Sequence, residues 1–214
     1  MKERSIILNT DEVRAVLDGR KTQHRVPIKT PYGLPGAPIS FDAYEFESSN
    51  GKMKFGFDGG EEYLQFISPF GAPGDLLWVR ETWQIYEFDS DGECYGPYKN
   101  IPKEKPYYSS VDWRTGSEDQ YGNVWRPSIH MPRWASRINL LVKRVWVDRV
   151  QDITAADAKA EGDKERSGFP EFYRRGPLCH VDWFRHKWNS KYEKKGFGWN
   201  ANPWVWACEF EVQK

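Results

Sequence analysis

The sequence predicts an α+β domain built around a curved, barrel-like sheet, and three observations lead there. Strand-like runs are interleaved with only a few helical ones. Near the end, Trp204, Trp206, Cys208, Phe210 and Val212 alternate with Val205, Ala207, Glu209 and Glu211, the period of a strand with one buried face. The chain also carries 34 aromatic residues among 214, 11 of them Trp. A chain without a packed core does not hold so many. The length suits one domain, residues 1–214, able to bury its core without disulfides or a metal.

In chain order, Ser5–Leu8 reads as a first strand. Thr10 then suits an N-cap, with Asp11 and Glu12 favouring the positive end of a helix. Val13, Val16 and Leu17 form its apolar stripe, and Gly19 closes it. Residues 31–73 and 86–125 hold many Gly and Pro with short aromatic runs, and predict two long loop-rich insertions. Between them Gly74-Asp75 marks a turn before a buried strand, Leu76–Trp83. Arg137–Val150 alternates through Ile138, Leu140 and Val142, then Val145 and Val147, as two strands or one long bent strand. Thr154 and Asp157 make a capping box ahead of Ala155–Ala160, with Gly162 ending that helix. Leu178–Tyr192 predicts another helix, with Val181, Phe184 and Trp188 on one side.

The charge balance is zero overall but unevenly spread. Residues 31–125 hold 16 acidic and 7 basic side chains, whereas residues 126–153 hold 6 basic and 2 acidic. A basic pocket for an anionic or nucleotide-like ligand fits this division, and a broad basic face for duplex DNA does not. The acidic middle equally suits a solvated insertion. No apolar stretch approaches the roughly 20 residues of a membrane span. MKERSIILNT lacks the apolar core of a signal peptide. Three cysteines with no CxxC pair argue against disulfides and a cysteine zinc site. The expectation is a cytoplasmic protein, with no membrane association and no cofactor.

Three groups of residues carry candidate chemistry. Lys21 follows a helix C-terminus, whose negative potential holds an ammonium protonated, while Arg20 and Arg25 push it towards a neutral amine. Such an amine could serve as base or nucleophile; a solvated basic turn uses the same residues. Glu161 sits in the last turn of its helix, against the dipole and four residues after Asp157. The third group is the run 125–137, which holds Arg126, His130, Arg133, Ser136 and Arg137 together with Trp125 and Trp134. Arginine forks suit phosphates or base edges, and tryptophan offers a stacking face. The four histidines show no metal-ligand spacing, so no metal site is expected.

Gly19-Arg20-Lys21-Thr22 after a short helix resembles the signature of the ASCH domain family, whose fold is PUA-like. Gly74–Glu81 resembles that family's turn-plus-strand element, and Ile153–Gly162 is similar to its later helix. With His130-Met131-Pro132-Arg133 and Asn202-Pro203-Trp204, the order looks most like a subgroup carried by bacteriophages and prophages. The resemblance covers roughly half the chain. It implies a barrel-like sheet with flanking helices and a cleft for RNA or a modified nucleoside. Some small members are amidohydrolases that remove an acyl group from acetylcytidine. Their catalytic lysine and glutamate fall on Lys21 and Glu161, while their threonine is replaced here by His24. The signature arginine normally follows the lysine by five residues; this chain has Val26 there and Arg25 one position early.

The resulting expectation is nucleic-acid or modified-nucleoside binding, with amide hydrolysis on an acylated nucleoside as its catalytic form. Lys21 would be the amine, Glu161 its proton acceptor and His24 a relay titrating near neutrality. Arg25, Glu81, His130, Arg133, Ser136 and Arg137 would hold the ligand, with Lys21 and the Arg133–Arg137 segment meeting in one cleft. The alternative is a non-catalytic phage protein that binds a host protein through its acidic middle segment.

Overall fold

A computed structural model describes residues 1–29, 45–47, 52–56, 63–88, 90–91, 94–97, 100–107, 109–115, 125–163 and 177–213. Its centre is a five-stranded sheet in the order β1-β6-β10-β11-β2. These strands are β1 (Glu3–Ile7), β2 (Gln23–Pro27), β6 (Leu76–Arg80), β10 (Asn139–Arg149) and β11 (Trp204–Gln213). β1 pairs with β6 in parallel, and the other three ladders are antiparallel. Two three-stranded sheets flank it. One is β3 (Glu45–Glu47), β4 (Lys52–Gly56) and β5 (Tyr63–Ile67); the other orders β8 (Cys94–Pro97), β7 (Trp83–Phe88) and β9 (Ser109–Trp113). The fold is thus mixed α+β. The expected barrel is open, because β1 and β2 end the sheet and no ladder joins them among the described residues.

Three helices complete the frame among the described residues: α1 (Thr10–Leu17), α2 (Ala155–Ala160) and α3 (Pro177–Tyr192). Val13 and Val16 of α1 pack with Ile6, Leu77, Val142, Cys208 and Phe210 on one face of the central sheet. On the other face, Ala158 of α2 and Phe184 and Trp188 of α3 pack on Val205. Both faces of β11 are therefore covered, and Val205 and Ala207 are as buried as Cys208. The alternation in the sequence foretold the strand but not its second cover, which α2 and α3 supply.

Local differences from the sequence reading have simple causes. Asn9, not Thr10, caps α1: its Oδ1 accepts from the Glu12 N–H at 2.9 Å, and the Glu12 carboxylate accepts from the Asn9 N–H at 3.1 Å. Leu76–Trp83 is not one strand. It breaks at Glu81-Thr82, and Trp83 begins a different sheet. Trp83, Ile85 and Tyr86 are buried, and Trp83 and Ile85 pack with Met131 and Ala135 in a cluster of their own. Within Arg137–Val150, Asn139–Arg149 is one long strand, bent where its register with β11 shifts between Val142 and Arg144. Thr154 caps α2 with Asp157 as expected.

Candidate functional site

The loop after α1 is tied to the end of α2 first through the backbone. Lys21 and Glu161 form an isolated antiparallel bridge, and Thr22 N–H donates to Ala160 O at 2.8 Å. Gly162 makes this close approach possible. Its φ is +100°, and a Cβ there would lie 2.9 Å from the Ala15 Cβ and 3.1 Å from the Lys21 Cβ.

This contact drives the Lys21 side chain inward. Its Nζ donates to Glu161 Oε2 at 2.7 Å, to Gln23 O at 2.7 Å and to Glu161 O at 3.2 Å. All three ammonium protons are thereby used. Glu161 Oε1 lies 3.4 Å from Arg25 Nη1, and Lys187 Nζ lies 3.6 Å from Glu161 Oε2 and 3.1 Å from Glu12 Oε1. Arg25 reaches Asp157 at 3.7 Å. Three cations thus meet three carboxylates, and Glu12, Lys21, Arg25 and Glu161 are each under 5% exposed.

Burial sets the proton affinities. It lowers the Lys21 pKa to about 8, against the raising pull of Glu161. Burial alone would raise the Glu161 carboxyl, but Lys21, Lys187 and Arg25 outweigh it and bring the pKa to about 2. His24, in β2, is also buried, with its Nδ1 3.9 Å from Glu12 Oε1 and without a hydrogen-bond partner. Burial, reinforced by Lys21, brings its pKa down to about 3 despite Glu12. The expectation of a histidine titrating near neutrality is therefore corrected: His24 is neutral across the physiological range.

Beside this network an open cleft of about 1310 Å³ lies between the two edge strands of the central sheet. β1 and the start of α1 form one side, β2 through Lys29 the other, and the C-terminal part of α3 a third. Glu12, His24 and Lys187 line it, together with Phe70, Tyr192, Phe197 and Trp206. Lys21 and Glu161 do not. They stand behind Glu12, His24 and Lys187, joined to the cleft through Lys187, which touches both glutamates.

The remaining predicted residues do not join them. Glu81 is buried, holding Arg137 through two contacts of 3.0 and 3.1 Å and accepting from Thr115 at 2.7 Å; Arg137 also contacts Thr115 and lies over the Trp113 ring. Arg133 pairs with Glu3 of β1 at 2.9 Å and bonds Asn139 at 3.0 Å. Ser136 donates to Val79 O, and His130 is exposed on a 3-10 turn. The expected meeting of Lys21 with Arg133–Arg137 does not occur. None of Lys21, Arg133 and Arg137 lines the cleft: Lys21 is turned to Glu161, Arg133 is held by Glu3 and Arg137 by Glu81. Of the run 125–137, only Ser128 lines the cleft.

Sequence reasoning missed Glu12 and Lys187, the two residues linking network and cleft. Glu12 had a signal, the capping-box position, but that accounts for only one of its oxygens. Among the described residues no group of three His, Cys, Asp or Glu side chains could hold a metal, and no helix is long and apolar enough to cross a membrane. Half of the 16 acidic residues of the middle segment, on which host-protein binding would depend, lie outside the described residues. No family model, curated protein or solved structure matches the chain, so the resemblance to the ASCH family rests on its motifs.

Proposed function

We propose that this chain is a PUA-like, ASCH-type domain that binds a nucleoside, free or within RNA, in the cleft between β1 and β2. The observation that carries the reading is the make-up of that cleft. Aromatic rings of Phe70, Tyr192 and Phe197 give it apolar walls suited to a base, while Asn9, His24, Thr82 and Ser128 offer donors and acceptors for base and sugar edges. Behind them, the charge network fixes the positions of Glu12 and Lys187. Native mass spectrometry against the four ribonucleosides, their acetylated and methylated forms and short RNA tests it. One or more should bind, and Phe197→Ala, at a partly exposed ring of the cleft wall, should weaken that complex about tenfold by removing a stacking face. Absence of binding across the panel sinks the proposal.

The catalytic form is a second reading, favoured by the lowered proton affinity of Lys21 and its contact with Glu161. In it, neutral Lys21 attacks the acyl carbonyl of an acylated nucleoside, the nucleoside amine leaves with a proton, and water then hydrolyses the acyl-lysine. Glu161 orients the amine. Release of acid from N4-acetylcytidine by wild type but not by Lys21→Arg supports this form, because arginine keeps the charge and cannot deprotonate. Hydrolysis retained in that variant removes it.

A further inference from the structure

Among the described residues, four lysines line the cleft and only one carboxylate does. Lys187 is matched to that carboxylate, Glu12, and to Glu161 behind it. Lys29, Lys191 and Lys195 are exposed and form no ion pair among the described residues. Lys191 and Lys195 both lie beside the Tyr192 ring, their ammonium groups 5.3 and 5.7 Å from its centre. Lys29 reaches the cleft from the opposite side, just beyond β2.

Lysines near a helix C-terminus have an ordinary explanation, attraction to the negative end of the dipole. It covers Lys191, Lys194 and Lys195, which end α3 and the 3-10 turn after it. It does not cover Lys29, which belongs to another element. Nor does it explain why Lys29 and the α3 lysines share one cleft in a chain of zero net charge. Like charges gathered around a concave space repel one another, and an anion there offsets the repulsion.

Resting on the reading of the cleft as a nucleoside site, we propose that its ligand is phosphorylated and that Lys29, Lys191 and Lys195 hold the phosphate at the cleft rim. The base sits deeper, against Phe70 and His24, and the phosphate lies outward between the α3 end and Lys29. The group is either the 5′-phosphate of a free nucleotide or a phosphodiester of RNA.

Calorimetric titration of wild type and the triple variant K29Q/K191Q/K195Q tests this. The probes are cytidine, N4-acetylcytidine, their 5′-monophosphates and cytidine trinucleotide RNA. In wild type at low salt, the phosphorylated probes should bind about tenfold more tightly than the parent nucleosides, the order expected of three screened lysine contacts. That ratio should shrink to about twofold in the triple variant, and also in wild type at high salt. A monophosphate advantage assigns a free nucleotide; an advantage seen only with the trinucleotide assigns RNA. If the parent nucleosides bind and neither phosphorylated form binds more tightly, the phosphate inference is wrong while the nucleoside cleft stands. If the ratio survives in the triple variant, the phosphate lies elsewhere. If no probe binds, the cleft reading falls and this inference with it.

Discussion

Replacing Glu161 by glutamine removes the anion on which the buried network is centred. Lys21 stands 2.7 Å from that carboxylate, Arg25 3.4 Å and Lys187 3.6 Å. In the variant, Lys187 keeps Glu12 at 3.1 Å and Arg25 keeps Asp157 at 3.7 Å. Lys21 keeps only the carbonyls of Gln23 and residue 161, and no counter-charge. A buried cation deprived of its partner costs about 3–5 kcal/mol. Lys21→Met is the milder change. Glu161 still has two cations beside it, so what is lost is one charge-assisted hydrogen bond, about 2 kcal/mol. In the double variant neither charge is left unpaired, so the losses should fall short of additive by about 2 kcal/mol. Urea unfolding followed by tryptophan fluorescence measures all three variants. Equal losses in the two single variants, or strict additivity in the double one, would refute a single charge-balanced network. A loss under about 1 kcal/mol for Glu161→Gln would mean that water reaches Lys21.

The other predictions concern protons and backbone. His24 is pKa about 3 when folded and 6.5 as a free side chain, so the unfolded chain binds the extra proton as pH falls below 6.5. Stability should then fall by about 2 kcal/mol between pH 6.5 and 5, and His24→Gln should flatten that slope; a flat wild-type curve contradicts the neutral, buried imidazole. Gly162→Ala must adopt φ of +100° and meet Ala15 and Lys21, a cost of about 3 kcal/mol, whereas Gly19→Ala, at φ +72° with open space around it, should cost about 1 kcal/mol. Equal melting-point losses would show that residue 162 tolerates a Cβ. For the catalytic form, hydrolysis of N4-acetylcytidine should rise through about pH 8 as Lys21 loses its proton; a rate already at plateau at pH 6 would exclude Lys21 as the nucleophile.

What the sequence made legible was local. The alternation of Trp204 to Val212, the Thr154–Asp157 capping box and the glycines at 19 and 162 each act within a few residues, and each reappears in the structure. The pairing of Lys21 with Glu161 spans 140 residues, and no periodicity encodes it. It followed from the family resemblance alone. Burial of Lys21 was hidden for the same reason, since a lysine between two arginines reads as solvated until α2 and β11 close over it. Proximity along the chain misled at Arg133 and Arg137. Four residues apart, they part company because the 3-10 turn Arg133–Ala135 and the extended backbone after it send one to Glu3 and the other to Glu81.

The proton balance within the network also ranks the two functional readings. Lys21, Lys187 and Arg25 hold the Glu161 carboxyl well below the usual carboxylate range, and Lys21, though lowered by burial, stays far above it, so the proton rests on the amine. For Glu161 to accept that proton, as the motif leads one to expect, the cations that hold its carboxylate charged would have to draw away. Water and an acyl group must both come through the cleft, where Glu12, His24 and Lys187 stand in front of the pair. Nucleophilic attack thus requires Lys21 to leave all three of its acceptors and Lys187 to leave both of its glutamates. Binding requires neither. A ligand resting on the Glu12–His24–Lys187 wall uses the network as it stands, its groups held in place by charges already balanced. That difference in required rearrangement puts nucleoside binding ahead of amide hydrolysis, and it makes Lys187 the residue to watch. Lys187→Met should open the space before Glu161. A gain in hydrolysis of N4-acetylcytidine in that variant would restore the catalytic reading, whereas weaker nucleoside binding with no hydrolysis would leave the cleft as a binding site.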